Sequence, residues 1–297
     1  MVEVDCVVSA GNELGESPIW DDRERALYWA DIRGPALHRF DPASGATQAW
    51  PLPDCIGSFA VREGGGMLLA LRGGLYAFDP ASGALAKLGH PEADRTGDRY
   101  AMNRYNDGKC DRRGRFWVGT MSDRSPREAV GALYRVDADL ASHRILDGVA
   151  VPNSLAWSPD GRVMYFADTS DGRLRAYAYD AQVGRLGPMR VLADAGTAPG
   201  RPDGATVDEA GCLWSARYGG GALARFTPDG RLDRVVSLPV SQVTSCAFGG
   251  PRLDTLYVTT ATQRLTPPEQ RAREPLAGGL FALSPGVRGL PEPRFAG

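Results

Sequence analysis

Six short apolar segments recur along this chain in the same order and at nearly even spacing. They are Ala26-Leu27-Tyr28-Trp29, Met67-Leu68-Leu69-Ala70, Arg115-Phe116-Trp117-Val118, Val163-Met164-Tyr165-Phe166, Cys212-Leu213-Trp214-Ser215 and Thr255-Leu256-Tyr257-Val258. Their starts lie about 40 to 50 residues apart, the period of a propeller blade. A further strand follows each, from Ala36-Leu37-His38-Arg39-Phe40 in the first unit to Gly279-Leu280-Phe281-Ala282-Leu283 in the last. Turn signals punctuate the units. Asp41-Pro42-Ala43-Ser44-Gly45 recurs as Asp79-Pro80-Ala81-Ser82-Gly83, and such clusters set φ for tight turns and stop strands.

Helical patterns are nearly absent. Residues 267–276 are the best candidate, and their prolines point to a one- or two-turn excursion inside the last unit. Short strands, dense turns and no crossover helices predict an all-β closed fold, a six-bladed β-propeller of four-stranded blades. One such domain accounts for residues 1–297, with the N-terminal strand from Met1 to Val8 closing the last blade and leaving no open edge. A sandwich or two small β domains fit six in-phase units less well.

Composition narrows the function. The formal net charge is −2, so no nucleic-acid partner is implied. No stretch of about 20 apolar residues occurs, so no membrane span is expected. The N-terminus lacks a basic segment followed by an apolar one, so it reads as mature strand and not as a signal peptide. The five cysteines are odd in number and show no CxxC spacing, which predicts reduced thiols and a cytoplasmic location. The three histidines, His38, His90 and His143, fall late in their repeats. That placement disfavours Ser-His-Asp chemistry and a histidine zinc site.

The strand opening each unit carries the chemistry. Aligned by the step to an apolar residue four positions on, the units read Glu16–Trp20, Gly57–Val61, Asn106–Cys110, Asn153–Trp157, Asp203–Val207 and Thr244–Phe248. Taken singly, an Asn or Asp here is a turn residue. Four carbonyl-bearing side chains in phase, two of them acids, are a different matter. Arranged radially, Glu16, Asn106, Asn153 and Asp203 converge on one axis, and a hard divalent cation takes such oxygens.

With these motifs the chain resembles the SMP-30/gluconolactonase/regucalcin-like family. The resemblance covers essentially the whole length and rests on several motifs in order. They are Gly15-Glu16-Ser17-Pro18-Ile19-Trp20, Asn103-Arg104-Tyr105-Asn106-Asp107-Gly108-Lys109 with Gly119-Thr120-Met121, Pro152-Asn153-Ser154-Leu155-Ala156-Trp157, Pro202-Asp203-Gly204 and Thr244-Ser245-Cys246-Ala247-Phe248-Gly249-Gly250. The resemblance implies a six-bladed propeller that hydrolyses a sugar lactone with one divalent cation: Ca, Zn, Mg, Mn or Fe. It implies Glu16, Asn153 and Asp203 as metal ligands, Asp203 also as general base, and Arg104 and Asn106 as substrate contacts. Many relatives carry an acidic pair after Gly-Thr-Met. Here Asp123 keeps the first acid and Arg124 replaces the second, so both are expected at the substrate, with Arg124 donating where the family residue accepts. The expected partner is a small sugar lactone, and the expected state a monomer or weak homodimer. Two other readings stay open: a non-catalytic calcium-binding or regulatory propeller, and a propeller esterase or phosphotriesterase.

Overall fold

In a computed structural model, residues 2–265 and 268–297 are described. Their strands form six four-stranded antiparallel sheets. Blade one spans residues 15–51, blade two 56–89, blade three 103–149, blade four 152–193 and blade five 201–237. Blade six takes its first three strands from residues 243–283. Its outermost strand is Val4–Val8, from the start of the chain, paired antiparallel with Leu280–Leu283.

The inner strands of the six blades are Gly15–Asp21, Ile56–Val61, Asn103–Cys110, Pro152–Trp157, Arg201–Val207 and Val243–Gly249. Each packs beside the inner strands of the neighbouring blades, so the six close a ring around one axis. The fold is a six-bladed β-propeller, as the repeat period predicts.

Strand alternation explains the packing. Successive side chains point to opposite faces of a sheet. Ala26, Tyr28 and Ala30 therefore face blade two and pack with Phe59 and Leu69. Leu27 and Trp29, on the other face, pack toward blade six with Tyr257 and Leu280. The pattern repeats in blade three, where Phe116 and Val118 join a core with blade two and Trp117 joins one with blade four. Each blade interface thus owns one apolar cluster, and the core is a ring, not a ball.

Short polar links tie the first two strands within a unit. The indole of Trp214 donates to the buried Asp208 carboxylate at 2.9 Å, and Trp117 donates to Asp111 at 3.3 Å. Both acids follow their inner strand and also accept backbone N–H groups of the next turn. The C-terminal segment lies across the far end of the inner strands, where Phe295 N donates to Val61 O and Ala296 N to Gly114 O. The sequence-predicted excursion is a short helix, Pro268–Arg273, inside blade six; Pro267 lies outside the described residues. Among the described residues no helix is long and apolar enough to cross a membrane.

Candidate active site at the propeller axis

The polar residue that opens an inner strand sits where that strand loses its regular pairing. The register shifts between Glu16 and Ile19, Tyr105 and Gly108, Asn153 and Ala156, and Pro202 and Ala205. Such a bulge re-aims a side chain out of the pleat. In blades one and four the next residue, Ser17 or Ser154, takes a left-handed backbone with φ of 51° and 59°.

The result is a cavity of about 680 Å³ at that end of the axis, walled in part by Glu16, Arg104, Asn106, Asn153 and Asp203. Five of the expected site residues therefore meet in one place, all of them buried. The other two in-phase positions serve the ring instead. A Cβ at Gly57 would stand 2.3 Å from the Tyr105 carbonyl carbon, so blade two has no room for a side chain there. The Thr244 hydroxyl donates to Gly15 O at 2.5 Å and ties blade six to blade one.

Glu16 and Asp203 are the two acids in the cavity wall, and among the described residues neither pairs with a Lys or Arg within 4 Å. Burial raises the Glu16 carboxyl well above the usual range, and the charges of Asp203 and Asp107 push it further. Burial also raises Asp203, followed by the Asp107 charge, while Arg127 and Arg104 pull it partly back. Two buried carboxyls, each raised by burial and by neighbouring acids, form a site that a cation would satisfy. Asn153 adds an amide oxygen. Among the described residues no three His, Cys, Asp or Glu are grouped to hold a metal, so the candidate set is mixed: two carboxylates and an amide. Hard cations of the calcium and magnesium type accept such oxygen donors, and the residues present fit one.

A hydrogen-bonded chain fixes these groups across three blades. Arg104 Nη1 donates to Asn106 Oδ1 at 2.8 Å, and Asn106 Nδ2 donates to Asn153 Oδ1 at 3.1 Å and to Pro152 O at 2.9 Å. Asn153 Nδ2 donates to Thr169 Oγ1 at 2.7 Å, and Thr169 donates to Pro202 O, next to Asp203, at 2.7 Å. Asn106 is thus committed on both ends and orients its neighbours. Arg104 keeps Nη2 without a hydrogen bond among the described residues, and that nitrogen is the donor left for a ligand.

Asp123 and Arg124 stand elsewhere. Neither belongs to the cavity wall. The Asp123 carboxylate lies beneath three arginines: Arg33 grips it with both terminal nitrogens, Arg72 reaches it at 3.0 Å and Arg104 Nε at 3.3 Å. It anchors Arg104 from behind. Arg124 is exposed and donates to the backbone carbonyl of Asp98. The arginine of that loop which does reach the cavity is Arg127, three residues on. Sequence reasoning also passed over Thr169, Tyr218, Gln242 and Arg264, which share the wall. They lie at strand ends and in connecting turns, outside the in-phase position at the head of the inner strand. The histidines are remote: His38 stacks on Trp29 at 4.9 Å between centroids, and His143 pairs with Asp137. All five cysteines are free.

Comparisons agree with this architecture. The family model described as SMP-30/Gluconolactonase/LRE-like region matches residues 14–262. The chain is 42% identical over 294 residues to a 6-deoxy-6-sulfogluconolactonase of Pseudomonas putida, covering 98% of each. It is 34% identical to pentonolactonase XacC of Haloferax volcanii, covering 96% of each. The crystal structure of a calcium-binding protein, regucalcin, from Agrobacterium tumefaciens superposes with a TM-score of 0.92 at 31% identity, covering 99% of this chain and 97% of that one.

Proposed function

The chain belongs to the SMP-30/gluconolactonase/LRE-like family, and on that premise we propose that it hydrolyses a sugar lactone to the aldonic acid, with one divalent cation at Glu16, Asn153 and Asp203. The observation that carries this reading is the meeting, in one cavity, of two buried carboxylates that pair with no Lys or Arg among the described residues and an arginine held by Asp123 and Asn106 with Nη2 left to donate. The names of the lactonase relatives support the reaction, and the calcium-binding name of the structural neighbour supports the cation. Those names point to different lactones, so kinship leaves the substituents of the sugar open.

A cation at this position would polarise the lactone carbonyl and make a nearby water easier to deprotonate. Asp203 takes a proton from the attacking water as the new C–O bond forms. The tetrahedral centre collapses with cleavage of the ring C–O bond, and the same proton passes to the ring oxygen, giving a hydroxy acid. Arg104 donates through Nη2 to the oxygen on which charge develops; a guanidinium needs no pH tuning for this task. Asn106 keeps Arg104 and Asn153 in register. Asp123 holds the guanidinium plane from the other side.

The same reading places the enzyme in the cytoplasm, where five free thiols stay reduced. A pH-stat panel of aldonolactones, aryl esters and phosphotriesters, run with and without EDTA, tests the reaction class. Preferential hydrolysis of aldonolactones is the expected result. Turnover of esters or phosphotriesters above all lactones would replace the reading by the esterase one, and no turnover with retained cation binding would replace it by a binding propeller.

A further inference from the structure

Four arginines wall the cavity, and the mechanism uses one of them, Arg104. The other three, Arg127, Arg201 and Arg264, lie within 4 Å of no carboxylate among the described residues. Arg201 makes one long hydrogen bond, 3.4 Å, to the Ser170 carbonyl. The cavity is thus polarised, with acids at the axis and unpaired guanidinium groups on the wall. All three are exposed as residues, so their place in the wall matters only through the groups beside them. The arginines sit with other uncommitted polar groups.

The Arg264 guanidinium stands 5.9 Å from the centroid of the Tyr218 ring. Tyr218 and Gln242 pair through an isolated antiparallel bridge, so their side chains belong to one patch. The Tyr218 hydroxyl and Gln242 Oε1 are both buried, and neither has a hydrogen-bond partner among the described residues. Gln242 is only 8% exposed. A buried polar atom without a partner costs free energy that a ligand can recover. Arg264 itself takes a left-handed backbone, φ 66°, which holds its side chain over this patch. Arg127 is exposed as a residue and lines the cavity, where it loses part of its hydration. That desolvation and the nearby Arg264 charge hold its pKa below the usual guanidinium range. Two like charges held together in this way form an anion site.

We propose that Arg127, Arg264, Tyr218 and Gln242 form a subsite for an anionic group, and that the lactone hydrolysed here carries a sulfonate, phosphate or carboxylate away from its ring carbonyl. The proposal rests on the lactonase reading above. Arg127 and Arg264 neutralise the anion, the Tyr218 hydroxyl donates to it, and Gln242 Oε1 accepts from an adjacent sugar hydroxyl. Arg201 adds positive potential from the same wall. The carboxylates Glu16 and Asp203 repel the same group, so the substrate enters in one orientation, anion toward the arginines and carbonyl toward the axis.

The test compares kcat/KM for a neutral aldonolactone with three derivatives of the same skeleton ending in sulfonate, phosphate or carboxylate. In parallel, the three hydrolysed acids are titrated calorimetrically into the metal-loaded protein at low and high salt. At least one charged lactone is expected to exceed the neutral one by about tenfold or more, the scale of a charge-assisted hydrogen bond. Arg264→Gln and Arg127→Gln should each remove about tenfold of that preference through KM, with the neutral lactone changed less than about twofold. Arg264→Lys should keep part of it. Binding of the matching acid should weaken as salt rises. The three derivatives separate sulfonate from phosphate and carboxylate. Equal kcat/KM for all four lactones would overturn the subsite, as would an Arg264→Gln variant that slows all four equally. Absent hydrolysis of every lactone, with Arg264-dependent binding of an acid intact, would strike the reaction and leave the subsite standing; loss of both would strike both.

Discussion

Thr169 stands one step behind the candidate metal position. Its hydroxyl accepts from Asn153 Nδ2 and donates to Pro202 O, so it fixes which end of the Asn153 amide faces the cavity. Partners of this kind orient a ligand as much as the ligand itself does. Thr169→Val keeps the shape and removes the bond, and it should weaken divalent-cation affinity by roughly tenfold to a hundredfold, read by calorimetric titration. Asp123 plays the same part for Arg104. Burial alone would raise its carboxyl, but the Arg33 hydrogen bond and the Arg104 and Arg33 charges outweigh burial and hold it below the usual range. Its contribution to stability is present above the ordinary carboxylate pKa of about 4 and fades as pH falls through the depressed value. Asp123→Asn should therefore cost about 1–3 kcal/mol near neutral pH and lower kcat/KM with metal content unchanged. The stability gap between the two proteins should close below about pH 4, which denaturant titrations along a pH series would reveal. Glu16, Asn106, Asn153 and Asp203 share one phase in the repeat, and all four line the cavity, because the phase puts each at the head of an inner strand where the bulge turns it to the axis. The sequence could not separate Arg124 from Arg127, because a loop without periodicity leaves side-chain direction to tertiary contacts: Arg124 turns to the Asp98 carbonyl and Arg127 to the cavity. Nor could it foresee that Asp123 lies under three arginines, two of them from blades one and two.

At the scale of single strands, the bulge at the head of each inner strand converts a repeat into a site. A regular strand would send Glu16 or Asn153 into a blade interface; the register shift sends it to the axis. The cost is close packing of backbones. Gly57 lies against the Tyr105 peptide, and a Cβ there would meet its carbonyl atoms at 2.3 and 2.4 Å. Gly57→Ala should destabilise the protein by about 1–3 kcal/mol, the usual cost of overpacking, because both partners are backbone. It should also lower kcat/KM, since Tyr105 lies between Arg104 and Asn106. A thermal transition unmoved within a degree would contradict that account of the position. The motif phase was legible because Asn and Asp recur at one offset. The bulges were not, because a register shift depends on the facing strand. The short helix Pro268–Arg273 was legible in outline from its charged run after a proline.

For the molecule as a whole, six blade interfaces each hold their own apolar cluster, and strands from both ends of the chain meet in blade six. The repeat period made this ring the most legible feature of all, since a 40-residue unit cannot bury both faces of its sheet alone. The cavity wall draws on the heads of inner strands from several blades, so a cation at Glu16, Asn153 and Asp203 would tie blades one, four and five together. A bound cation stabilises the folded ring by mass action, about 2.7 kcal/mol at a hundred times its Kd. The most direct measurement takes EDTA-stripped protein and adds back one cation stepwise while aldonolactone hydrolysis and the thermal transition are followed on the same sample. The account predicts that stripping abolishes hydrolysis, that activity and stability return together, and that both saturate at one equivalent per chain in the wild type and fail to return in Asp203→Ala. Full hydrolysis by the stripped protein, or a full stoichiometric response in Asp203→Ala, would contradict it.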